Sequence, residues 1–208
     1  MSPMEEELSK IQREFYSSQS KRMFLTKTQK KECAEYIAQK MSLEELMQNT
    51  VYVIKNTNYV LIDYPVFKQY MISAHYASFI QYVLHTINKV IEEYGTYEMH
   101  INLSSFSVSA VEKYYVMIHT FYDICCQPKN ELIVGRLSNI HIYHTPIMIH
   151  VIKTMLSKLN VESINGKTHF YTKDESPELL KRLMTQTSGK RATRNVSLLT
   201  ANSGRLTK

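Results

Sequence analysis

The chain is poor in the residues that break regular structure. Only five of its 208 residues are Gly and five are Pro, too few for a fibrous or disordered protein. Nowhere do about 18 apolar residues run together, so no transmembrane helix is expected. Residues 1–21 lack the basic start and apolar middle of a secretory signal and carry Glu5, Glu6, Glu7 and Glu14 instead. Cysteine is scarce too. Cys33 and the vicinal pair Cys125–Cys126 offer no disulfide framework and no second pair for a zinc site. Reduced thiols are the expectation, in the cytoplasm or in a particle assembled there.

Acid is missing from one end. Residues 185–208 hold Lys190, Arg191, Arg194, Arg205 and Lys208 with no Asp or Glu, so five of the six net positive charges lie there. The basic character belongs to this tail and not to the body. The tail has no sustained period and is rich in Ser, Thr, Asn and Gly, which reads as disordered or ordered by a partner. It also lacks aromatic residues, so nucleic acid is not an expected partner. Val196, Leu198 and Leu199 add a small apolar anchor.

What is present is a body with enough apolar residues, 44% overall, to fill one core. Leu8, Ile11 and Phe15 are spaced as one face of a helix over 4–17. Further helices are expected over 28–40 and over 43–49, the latter opened by a Ser42/Glu45 capping box. Residues 51–62 read as a hairpin about Lys55–Asn58. One long helix is expected over 66–94, with Gly95 ending it. Residues 97–103 alternate as a strand, with Tyr97, Met99, Ile101 and Leu103 on one face and Glu98, His100 and Asn102 on the other. A helix over 108–126 follows a Ser-rich turn suited to capping. Then come a strand over 139–144, a helix from Pro146 to about Leu159, a short strand over 167–171 and the helix PELLKRLM. Strand–helix alternation with long crossovers implies an α/β fold with a mainly parallel sheet flanked by helices. The expected organisation is an N-terminal helical arm over 1–50, an α/β domain over 51–184 and the basic tail over 185–208.

Two segments carry a resemblance. TYEMHINLSSFSVSAVEKYYVMIHTFYD (96–123) joins a strand through Asn102-Leu103-Ser104-Ser105 to a helix. GRLSNIHIYHTPIMIHVIKTMLSKLNVESINGKTHFY (135–171) joins a strand through His144-Thr145-Pro146 to a helix and a Lys-containing strand. Together with PELLKRL, this order resembles the C-terminal half of a CRAL-TRIO (Sec14-like) domain. A smaller STAS-like module is the second resemblance. The first implies a lipid or other hydrophobic ligand, with Tyr76, Ile80, Leu84, Met148, Ile152 and Met155 as candidates to line its pocket; Met suits irregular apolar cavities. The second implies phosphorylation at Ser105 or Ser107. The sequence departs from the CRAL-TRIO pattern at Asn102 and Ser105, where that family has an acid and a Gly. It departs again at Asn139, where inositol-lipid transfer members place a phosphate-contacting Lys. Phosphoinositide recognition is therefore not implied.

No catalytic motif is present. Ser104, Ser105 and Ser107 lack a Gly-x-Ser-x-Gly elbow and suit helix capping better. His100, His141, His144 and His150 tempt a metal reading, but His141 and His144 fall on opposite strand faces, and no HxxxH or HExxH pair occurs on a helix. The sequence thus predicts no metal site, no cofactor and no enzyme. Two functions remain: a non-enzymatic module binding a lipid or hydrophobic ligand, or a structural protein of a larger assembly such as a virus particle. The second would dock protein partners through its terminal arms, with Lys190, Arg191, Arg194, Leu198 and Leu199 as contacts, and could touch an anionic membrane peripherally.

Overall fold

The computed structural model describes residues 3–18, 26–146 and 166–189. Three helices come first: α1 (Pro3–Ser17), α2 (Lys27–Lys40) and α3 (Leu43–Thr50). A reciprocal capping box opens α2, where Thr26 Oγ1 accepts from the Gln29 N–H and Gln29 Oε1 accepts from the Thr26 N–H. At α3 the Ser42 hydroxyl accepts from the Glu45 N–H. The apolar faces of all three enter the main core: Leu8, Ile37 and Leu46 are fully buried, each worth about 1.5–3 kcal/mol. The described N-terminal helices thus contribute side chains to the same core as the sheet.

Strands β1 (Val51–Val53) and β2 (Tyr59–Asp63) form the expected hairpin, paired antiparallel. Asn56, at φ 61°, supplies the left-handed turn residue. The helix expected over 66–94 is broken. Helix α4 (Tyr64–Tyr70) stops at Met71, which is extended, and a 3₁₀ turn (Ser73–His75) leads into α5 (Tyr76–Tyr94). The break lets Tyr70 and Met71 both reach the core. Thr50 Oγ1 already donates to Leu46 O, so the Tyr70 hydroxyl donates to Thr50 at 2.9 Å. Packing has overridden a continuous helical pattern. Gly95 ends α5 at φ 78°, as expected.

Strand β3 (Tyr97–Asn102) leads to α6 (Val108–Cys125), a 3₁₀ turn (Pro128–Asn130) and α7 (Glu131–Arg136). Helix α6 stops just before Pro128, which opens the 3₁₀ turn; α7 was not anticipated from the sequence, and Ile133 anchors it in the core. Strand β4 (Leu137–Tyr143), strand β5 (Thr168–Phe170) and α8 (Ser176–Gly189) complete the described chain. α8 runs past the expected boundary at Met184 to Gly189.

The fold is α/β. Its five-stranded sheet has the order β1-β2-β3-β4-β5, antiparallel at β1–β2 and parallel in every other pair. Its first face carries Val51, Val60, Met99 and Ile140 against the seven helices α1–α7, and there Tyr64, Phe67, Phe79 and Tyr114 pack edge-on. The second face carries Leu61 and Tyr59, which with Tyr52 and Ile54 meet Leu180 and Leu183 of α8. Among the described residues no helix is long and apolar enough to cross a membrane.

Candidate functional site

The second face of the sheet collects polar rings. Glu98 and His100 project from β3, Asn139, His141 and Tyr143 from β4, and His169 from β5, with Tyr171 just beyond it. A register irregularity sets this up. Tyr97 pairs with Leu137 but Glu98 pairs with Asn139, so Ser138 is an extra residue in β4. One added residue reverses which side chains share a face. Downstream of it His141 lies directly opposite His100, and His169 opposite His141.

The rings stack across the strands. His100 and His141 lie 4.7 Å apart and 11° from parallel, His141 and His169 5.0 Å and 18°, and Tyr143 and Tyr171 5.0 Å and 15°. Tyr59 closes the row against His100 at 4.8 Å.

Each of two histidines has a tyrosine behind it. His100 Nδ1 is 3.0 Å from the Tyr143 hydroxyl, and His141 Nδ1 is 2.9 Å from the Tyr171 hydroxyl. In front of both stands Glu98. Its Oε2 is 3.2 Å from His141 Nε2 and 3.9 Å from His100 Nε2. A neutral His141 therefore donates from Nε2 to Glu98 and accepts at Nδ1 from Tyr171. On the far side His169 Nε2 donates to Asn139 Oδ1 at 3.2 Å, and the Asn139 amide faces Glu98 Oε1 at 3.5 Å.

His100 is the anomaly. It is 3% exposed, yet its Nε2 has no hydrogen-bond partner among the described residues. Burial, with the neighbouring His141 adding to it, pushes its pKa down to about 3, so it is neutral at pH 7. Burial also lowers His141, opposed by Glu98, and it raises Tyr143 and Tyr171. Glu98 and His141 keep about a fifth of their side-chain surface, at 21% and 17%. Glu98, His100 and His141 each offer one ligand atom, all within 4.8 Å of one another. In the sequence His141 and His144 are the neighbouring candidates; the structure instead brings His141 beside His100 across two strands, while His144 lies beyond the end of β4.

The other candidates sit elsewhere. Ile80 is buried in the core, and Tyr76 and Leu84 are half-buried against it. The Tyr76 hydroxyl donates to Lys113 O. Ser105 and Ser107 are exposed in the loop between β3 and α6. Ser107 takes the N-cap position of α6, but its side chain makes no cap bond and faces Ser109 at 3.0 Å. Lys68 Nζ donates to Ser105 at 2.6 Å, and Ser105 adopts φ 61°. Met148, Ile152 and Met155, and Lys190, Arg191, Arg194, Leu198 and Leu199, lie outside the described residues. All three cysteines are free, with Cys33 and Cys125 buried and Cys126 exposed. No protein-family model, curated protein or solved structure matches the chain.

Proposed function

We propose that the protein is a binding protein on an α/β scaffold, and that its ligand site is the Glu98–His100–His141 cluster on the second face of the sheet. One observation carries this reading: the buried Nε2 of His100, which has no hydrogen-bond partner among the described residues and stands 3.9 Å from the Glu98 carboxylate. An unsatisfied buried polar atom costs about 1–3 kcal/mol. Such a cost, where apolar packing would serve the fold as well, is the mark of a functional site. Binding fits better than turnover, because the candidate nucleophiles Ser105 and Ser107 contact Lys68 and Ser109 and no histidine.

The polar lining favours a small polar or charged ligand over the lipid implied by the CRAL-TRIO resemblance. That resemblance is kept as a proposal about fold, supported by the parallel β3–β4–β5 run. Replacing His100 and Tyr143 together by Phe tests the site reading. A functional cluster predicts a more stable protein, a structural one a less stable protein.

A further inference from the structure

We propose that Glu98, His100 and His141 bind one divalent transition-metal ion of the zinc class, through Glu98 Oε2 and the two imidazole Nε2 atoms. This rests on the cluster being the ligand site and names the ligand.

The donor set comes first. Two neutral imidazoles and a carboxylate suit zinc and its neighbours in the first transition row, and not magnesium or calcium, which take all-oxygen shells. Spacing comes second. Bonds of about 2.0–2.2 Å at tetrahedral angles put ligand atoms about 3.3 Å apart. The Glu98 oxygen stands 3.2 and 3.9 Å from the two nitrogens, and the three ligand atoms lie within 4.8 Å of one another, so the Glu98 contacts need shifts of about half an ångström and the gap between the two histidines must close by up to about 1.5 Å. The parallel rings must also splay so that their lone pairs converge, by rotation about a torsion that is broad for histidine.

The surroundings are those of a ligand shell. In the bound form both Nδ1–H groups would donate to the Tyr143 and Tyr171 hydroxyls already in place at 3.0 and 2.9 Å, which fixes the metal-binding tautomer. Asn139 steadies the second Glu98 oxygen. Ion binding would shift the His141 proton from Nε2 to Nδ1, with the Tyr171 hydroxyl turning from donor to acceptor, and would give His100 Nε2 the partner it lacks among the described residues. The partial exposure of Glu98 and His141 leaves a way in, and a fourth position for water.

The test titrates chelator-treated full-length protein with Zn²⁺ by calorimetry, with Co²⁺ absorption reporting geometry. One saturable site per chain and a tetrahedral Co²⁺ spectrum are expected, with no competition from Mg²⁺. His100→Phe/Tyr143→Phe should weaken binding at least 100-fold. Tyr171→Phe keeps all three ligands and should cost about tenfold. No saturable binding, or equal affinity in wild type and double variant, overturns the proposal; the latter would assign the ion to exposed groups such as His119 and Asp123. If the double variant is the more stable protein but the wild type takes no zinc, the cluster stays the ligand site and the metal is wrong. If it is less stable and no zinc binds, both readings fall.

Discussion

Replacing His100 and Tyr143 together by Phe should make the protein more stable. The substitution deletes one hydrogen bond, His100 Nδ1 to the Tyr143 hydroxyl, worth about 0.5–1.5 kcal/mol. It removes both partners, so neither is left orphaned. It also removes the unpartnered Nε2, relieving about 1–3 kcal/mol. Ring stacking against Tyr59 and His141 survives, since Phe keeps the ring. The net gain is about 1 kcal/mol at pH 7, or a Tm about 2–4 °C higher for a chain of this size. Acid sharpens the contrast. Unfolded His100 gains a proton below pH 6.5, whereas folded His100 holds out to about 3. The unfolded state then binds more protons, and wild-type stability falls as pH drops through that window. The double variant lacks this loss, so its advantage should grow by about 2 kcal/mol between pH 7 and pH 5. Urea denaturation monitored by circular dichroism at both pH values reads both effects. A variant destabilised by 1 kcal/mol or more at pH 7 would refute the reasoning, because the polar pair would then be supporting the fold.

Three further outcomes can be measured. Zinc at 100 times its Kd should stabilise the wild type by about 2.7 kcal/mol in the same denaturation assay and leave the double variant unmoved. Asp63 has its pKa raised to about 6 by burial, with Glu5 adding and the Asn102 hydrogen bond opposing. Folded Asp63 keeps its proton where the unfolded residue has lost it, so its contribution falls as pH rises from about 4 to 6. Asp63→Asn, whose amide oxygen still accepts from Asn102, should make stability climb more steeply across that range, by up to about 1.4 kcal/mol per pH unit; an unchanged slope would count against the shift. Gly95→Ala at φ 78° has open space for its Cβ but the wrong backbone, and should cost about 1–2 kcal/mol. A neutral result would mean that the end of α5 relaxes.

Local signals in the sequence anticipated much of the fold. Alternation in YEMHIN and NIHIY marked β3 and β4, the turn at Lys55–Asn58 marked the hairpin, and Gly95 marked the end of α5. Where tertiary contacts decide, the sequence was silent. The break at Met71 follows from burying Tyr70 against Thr50, a contact between residues twenty apart. Helix α7 is too short for its period to register. The site was half legible: Glu98 and His100 visibly share a face, and so do Asn139, His141 and Tyr143. What joins them is the extra Ser138 in β4, and nothing in a polar dipeptide such as Ser138-Asn139 signals a bulge. A search for donors of like parity on neighbouring parallel strands would have found the cluster. A search for local His spacing could not.

The sheet also constrains how copies of the protein meet. Among the described residues its two outermost strands, β1 and β5, are three residues each. An incoming strand would find only a few backbone groups to pair with on either side, and short edges of this kind discourage one sheet from extending into another. Stacking chains edge to edge into a continuous ribbon is therefore a poor route to assembly. Among the described residues, exposed side chains on the helices are better placed to form joints between copies. Tyr115 and Val116 on α6 and Leu132 on α7 are large apolar residues exposed there.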